Sequence, residues 1–95
     1  MRSDPHEDKD SLYELLKLYN NLCNGSGGFI DEEAFERIID HYDDKEELSK
    51  ALEASEMALT YFPFSSALLL KKADLLLATR KYNQALETLE KAELF

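Results

Sequence analysis

Apolar side chains recur every three or four residues in five segments of the chain, and short polar, glycine-rich or proline-containing stretches separate these segments. This is the spacing of one buried face of an α-helix, so the sequence predicts an all-α fold of about five helices. Three glycines and two prolines in 95 residues supply little of the turn chemistry that an all-β fold needs.

The first predicted helix begins at a capping box formed by Ser11 and Glu14 and ends at the glycine-rich segment 24–28. Residues 1–10 are rich in charge and are expected to form a frayed acidic tail. Residues 11–30 are expected to form an accessory helix followed by a flexible linker. Cys23 ends the apolar stripe of this helix and is expected to be a small buried residue.

Capping signals and a proline delimit the next two helices. Asp31 is expected to cap the second helix, and Asp44 with Glu47 forms a capping box ahead of the third. Pro63 ends the third helix, because the residue before a proline is disfavoured in helical dihedral angles. The predicted helices cover residues 32–42 and 48–62.

Two more helices complete the chain. Ser65 or Ser66 is expected to cap the fourth helix, over residues 67–79. The polar segment 79–81 interrupts the apolar pattern, and the fifth helix begins near Tyr82 and continues to the end of the sequence.

Alanines and large apolar residues recur at a fixed offset in the last two thirds of the chain. Ala51 and Ala85 are 85 − 51 = 34 residues apart, and Ala58 and Ala92 share this separation. Large apolar residues pair at the same offset, Phe35 with Leu69, Tyr42 with Leu76 and Leu48 with Tyr82. A period of 34 residues is typical of one family of helical repeats.

Residues 31–95 therefore resemble two tetratricopeptide repeats, over residues 32–65 and 66–95. The resemblance implies antiparallel helical hairpins stacked as a right-handed solenoid, with the alanines allowing close helix packing. Pro63 stands where the family commonly has a proline between repeats. The sequence departs from the family in the turn inside each hairpin, where Glu46 and Arg80 replace the common glycine.

Arrays of this family bind other proteins in a concave groove lined by the first helix of each hairpin. The groove positions of the family correspond here to Glu33, Glu36, Asp40, Asp43, Ala67, Leu70, Asp74 and Leu77. One wall is acidic and the other mainly apolar, so the resemblance implies a non-catalytic module that binds a basic or amphipathic peptide. The carboxylate clamp of some members does not carry over, because its Lys and Asn are absent. The other interpretation is that these carboxylates only solvate the surface.

The fifth helix carries apolar residues with no following repeat to cover them, namely Leu86, Leu89, Leu94 and Phe95. Solenoids usually finish with a polar helix. The alternative function is therefore structural: self-association as a homo-oligomer, or docking on further repeats of a longer array.

A net charge of −9 argues against nucleic acid and anionic membrane surfaces as partners. One cysteine excludes an internal disulfide, and the polar first residues do not form a signal peptide, so a cytoplasmic location is expected.

No combination of residues predicts an enzyme, a metal site or a cofactor. His41 lies among Asp40, Asp43 and Asp44, but zinc sites usually recruit several His or Cys ligands. The glycine-rich segment lacks the carboxylates of a calcium loop and the lysine of a P-loop.

Overall fold

The computed structural model of the protein describes the backbone of residues 5–93 and the side chains of residues 11–93, and it contains five α-helices and no strand over this part of the chain. The predicted all-α fold is confirmed. None of the described helices has both the length and the apolar character needed to cross a membrane. The helices are α1 (Pro5–Cys23), α2 (Glu32–Asp44), α3 (Leu48–Tyr61), α4 (Ser66–Ala78) and α5 (Tyr82–Glu93).

The helices pack in chain order. Helix α2 packs on α3, α3 on α4, and α4 on α5, while α1 packs on α2 at the other end of the row. Short connections join α2 to α3 and α4 to α5, so each of these pairs is a helical hairpin. The core runs between the helices as one continuous cluster from Tyr19 to Ala85.

Helix α1 begins at Pro5, six residues before the predicted start at Ser11. Proline suits the first helical position, because its ring fixes φ near the helical value. A backbone N–H at that position has no acceptor within the helix, so the absence of one costs no hydrogen bond. Residues 5–10 of the expected frayed tail are thus helical, and residues 1–4 lie outside the described part of the chain.

Two of the predicted caps are present. The Asp31 carboxylate accepts a hydrogen bond from the backbone N–H of Ala34 at 2.8 Å, and the Ser65 hydroxyl accepts one from Leu68 at 3.2 Å. Ser65, rather than Ser66, is therefore the cap of α4. The predicted Asp44–Glu47 capping box is wrong: Asp44 is the last residue of α2, and Glu47 precedes α3 without a capping side-chain hydrogen bond.

The reason lies in the turn that ends α2. Glu46 adopts a left-handed φ of 60°, its N–H donates to the carbonyl of Asp43, and the next N–H, of Glu47, donates to the carbonyl of Tyr42. This is a Schellman motif, in which the helix end is capped by backbone groups. It occupies the segment that the sequence pattern assigned to a side-chain cap.

The turn between α4 and α5 repeats this geometry. Arg80 has a φ of 62°, and the N–H of Lys81 donates to the carbonyl of Leu76 at 2.8 Å. Arg80 follows Glu46 at the same offset as the paired alanines, and these are the two non-glycine residues with positive φ in the described chain. Glutamate and arginine thus stand at two turn positions whose backbone conformation favours glycine.

Several small residues are buried between the helices. Ala51, Ala54, Ala58 and Ala73 are completely buried, and Ala85 is almost so. Larger side chains occupy the remaining interior, with Phe35, Ile38, Ile39, Leu68 and Leu76 the largest that are fully buried. Buried Ser55 donates its hydroxyl to the carbonyl of Leu52 at 2.7 Å, so it leaves no unsatisfied polar group.

Glycine at either turn is expected to stabilise the fold. We expect Glu46→Gly and Arg80→Gly each to raise the free energy of unfolding by about 0.5–1 kcal/mol, because glycine adopts positive φ without the Cβ clash. Urea denaturation measures the change. The substitutions remove charges of opposite sign, so a gain from both identifies backbone conformation as the cause. Arg80→Ala keeps the Cβ atom and should give no gain; an equal gain there would contradict this explanation.

Candidate functional site

Side chains bridge α2 and α4 at two points, whereas α3 packs directly on both helices. The Ser65 hydroxyl donates to the Glu32 carboxylate at 2.7 Å where both helices begin. About two turns further along α2, the Lys71 ammonium donates to the Asp40 carboxylate at 2.7 Å. We call the region between and around these bridges, on the outer faces of α2 and α4, the α2/α4 surface.

The acidic side of this surface comes from α2. Glu33, Asp40 and Asp43 are exposed and Glu36 is half-buried. Their spacing of three, four and three residues keeps them on one face of the helix. Among the ion pairs between side chains of residues 11–93, one involves this row, that of Asp40 with Lys71, and the Asp40 side chain is still 54% exposed. The sequence-predicted acidic residues are therefore together on one accessible face.

The other side of the surface comes from α4. Ala67, Leu70, Asp74 and Leu77 are all exposed, with Leu70 and Leu77 at 49% and 44%. Leu70 and Leu77 are seven residues apart, so they lie on one face of α4, opposite the face that forms the core. Lys71 also belongs here but was missed by the sequence analysis. Its spacing from Ala67 and Asp74, four and three residues, is the signal that places it beside them.

An aromatic cluster near the N-terminal ends of α2 and α4 was also missed. Phe29 and Phe64 are 70% and 69% exposed, and Tyr61 is also exposed. The Phe29 and Phe62 ring centroids lie 6.5 Å apart, and Phe62 in turn packs on buried Phe35 at 6.3 Å. The signal in the sequence is the run YFPF at residues 61–64, which was interpreted only as a helix end.

Tyr61, Phe62 and Phe64 border a cavity of about 380 Å³, which we call the aromatic cavity. Its lining consists of Glu32 and the continuous segment from Tyr61 to Ser65. The Glu32–Ser65 hydrogen bond lies in its wall, so the cavity adjoins one end of the α2/α4 surface.

The exposed face of α5 was predicted as a stacking surface. Leu86 is 58% exposed, whereas Leu52, its equivalent in the first hairpin, is 9% exposed. Leu89 is half-buried, and its equivalent, Ser55, is fully buried. Leu94 and Phe95 lie outside the described residues. The second hairpin therefore leaves uncovered a position that is covered in the first.

Cys23 is exposed, so the prediction that it is buried is wrong. It is the last residue of α1, where the chain turns into the glycine-rich segment, while Tyr19 one turn earlier makes the buried contact. The two side chains border a cleft of about 330 Å³ between α1 and α3. Burial raises the pKa of the Tyr19 phenol, and a hydrogen bond with the Cys23 thiol raises it further.

His41 packs against an aromatic ring and lies near two basic residues. The imidazole packs edge-on against the Tyr42 ring with centroids 5.2 Å apart. Arg37 and Lys45 line the same shallow cavity as Asp40 and His41. Among the described side chains, no group of three or more His, Cys, Asp or Glu residues is placed to hold a metal ion.

The Tyr19 phenol is expected to make stability depend on alkaline pH. Its pKa is higher in the folded chain than the ordinary value of about 10, so above pH 10 the unfolded chain loses a proton that the folded chain keeps. The free energy of unfolding should therefore fall as pH rises. Urea denaturation at about pH 8 and pH 11 should show a smaller fall for Tyr19→Phe than for the unsubstituted chain. Tyr13→Phe, at an exposed position, should keep the original fall; equal behaviour of the two variants would contradict this assignment.

The chain matches no protein-family model, no curated protein and no solved structure. The resemblance to tetratricopeptide repeats therefore rests on the repeat period of the sequence.

Proposed function

We propose that this chain is a non-catalytic protein-interaction module of tetratricopeptide-like architecture, and that its α2/α4 surface binds a basic, amphipathic helical segment of a partner protein. One observation carries the proposal: a row of accessible carboxylates on α2 stands beside accessible leucines on α4. A single ligand helix that contacts both rows would place cations on one flank and apolar side chains on the other.

The period of the two hairpins supports the architectural part of this proposal. Helices α2 and α4 have 13 residues each. Their caps at Asp31 and Ser65 are separated by the repeat period, and the turns at Glu46 and Arg80 keep the same offset. Equal helix lengths with equal caps and turns are what two copies of one hairpin unit require.

Electrostatics supports the polarity of the ligand. The chain carries a net charge of −9, which attracts cationic segments and accelerates their encounter. Lys71 is the one cation bonded to the acidic row in the described structure, and its ammonium binds Asp40. A ligand lysine at this position would compete with Lys71 for the Asp40 carboxylate, so the Lys71–Asp40 ion pair opposes binding there.

Charge reversal tests the α2/α4 surface. The probe is a fluorescein-labelled lysine–leucine peptide of about 14 residues, long enough for roughly four helical turns. We expect the triple variant Glu36→Lys, Asp40→Lys, Asp74→Lys to weaken its binding at least about tenfold in fluorescence anisotropy, because attraction becomes repulsion.

The matched control changes the net charge equally at α5, with Glu87→Lys, Glu90→Lys and Glu93→Lys. Its loss of affinity should be several-fold smaller, since these side chains lie on a different helix. Equal losses in the two triple variants, or no binding to the unsubstituted chain, would refute the proposed binding surface.

The exposure of Leu86 favours a second candidate function, docking of another copy of the chain, or of another hairpin, against α5. By its equivalence to Leu52, Leu86 occupies a position that the first hairpin keeps covered. A helix packed there would remove the exposed leucine from water, at roughly 25 cal/mol per Å² of apolar area.

Solution mass tests this second function. Multi-angle light scattering should give a mass that rises above the monomer value of 10.9 kDa as concentration increases, and Leu86→Glu should return it to the monomer because a buried charge is unfavourable at an apolar contact. Leu18→Glu is the matched control, since Leu18 is an exposed leucine on α1. A monomer at every concentration would exclude docking between copies through α5.

A further inference from the structure

We propose that the aromatic cavity is a second binding site, and that it binds the planar guanidinium cation of an arginine side chain in a partner protein. This site adjoins one end of the α2/α4 surface, where the Glu32–Ser65 hydrogen bond lies in its wall, and it does not depend on a peptide binding to that surface. The aromatic rings and the Glu32 carboxylate supply its two recognition elements.

Three aromatic rings line the cavity. Tyr61 and Phe64 are exposed, and Phe62 between them is half-buried. The cavity wall is also anchored: Tyr61 stacks on buried Phe35 with ring centroids 6.2 Å apart, and Phe62 packs edge-on against the same ring. The rings thus form a supported surface that a ligand finds already in place.

The cavity also carries negative charge, because Glu32, the first residue of α2, lines it. Among the residues that line the cavity none is basic. The hydroxyl of Ser65 holds one Glu32 oxygen at 2.7 Å, which orients the carboxylate and leaves it acceptor capacity for a further donor.

The combination selects the ligand. A guanidinium is planar, stacks on aromatic faces and donates to a carboxylate, so it uses both elements at once. A proline-rich or purely apolar segment would use the rings but would remove Glu32 from water without neutralising it. An anionic ligand would be repelled. The cavity therefore favours arginine over neutral side chains of the same shape.

The test uses two small probes, N-acetyl-arginine methylamide and N-acetyl-citrulline methylamide, which have nearly the same shape but differ in charge. Aromatic carbon–proton NMR spectra of the full chain follow the rings of Tyr61 and Phe64 during titration. We expect saturable shifts with the arginine probe at about millimolar concentrations and at least about fivefold weaker binding of the citrulline probe.

Variants assign the effect to the cavity. Phe64→Ala and Glu32→Gln should each weaken arginine binding about threefold to tenfold. Glu33→Gln is the matched control, because it removes the neighbouring carboxylate, which does not line the cavity, and it should leave binding within about twofold. Thermal melts establish that each variant is folded, and Tyr61 shifts report binding in the Phe64→Ala variant.

Three results would overturn the proposal: equal binding of the two probes, no saturable shift with the arginine probe, or equal losses for the substitutions at Glu32 and Glu33. Because these probes contain no amphipathic helix, failure of the lysine–leucine peptide to bind the α2/α4 surface would leave this result unaffected. The two proposals therefore fail independently.

Discussion

Close approach of helices through alanine is the constraint on which the rest of this structure depends. Ala51, Ala54 and Ala58 are completely buried along α3, and Ala73 and Ala85 serve α4 and α5 in the same way. A larger side chain at any of these positions would force neighbouring helices apart, because the interior has no space to accept it. Since α3 packs on both α2 and α4, its alanine face also sets the relation of the two helices that form the α2/α4 surface.

Several large apolar side chains stay exposed, although others fill the core. Leu70, Leu77, Leu86 and Phe64 are in contact with water at different places on the molecule. Carboxylates stand beside the leucines of α4 and in the wall of the aromatic cavity. Leu86 lies instead at a position whose equivalent in the first hairpin, Leu52, is covered.

Much of the fold could be predicted from local signals. The five helices follow from apolar spacing, and the caps at Asp31 and Ser65 from side chains that compete for free backbone N–H groups. Helical spacing also placed Glu33, Glu36, Asp40 and Asp43 on one face of α2. The start of α1, the turn at Glu46 and the exposure of Cys23 were not predicted correctly. For α1, both Pro5 and the Ser11–Glu14 capping box are helix-start signals, and the helix begins at the proline. The turn at Glu46 is capped by backbone groups, which leave little trace in the sequence. Cys23 was assigned to the core because the apolar stripe of α1 does not show where the contacts of that helix end.

The sequence by itself determined the helical class, the repeat period and the acidic balance, because each is a property of spacing or composition. Tertiary structure alone decided which residues from distant segments meet. Glu32 with Ser65 and Asp40 with Lys71 are far apart in the chain, yet each pair is in direct contact. The aromatic cavity likewise joins the start of α2 to the segment after α3. The periodicity of the sequence determines on which face of its own helix a side chain lies. The packing of one helix on another determines which residues of other helices it contacts.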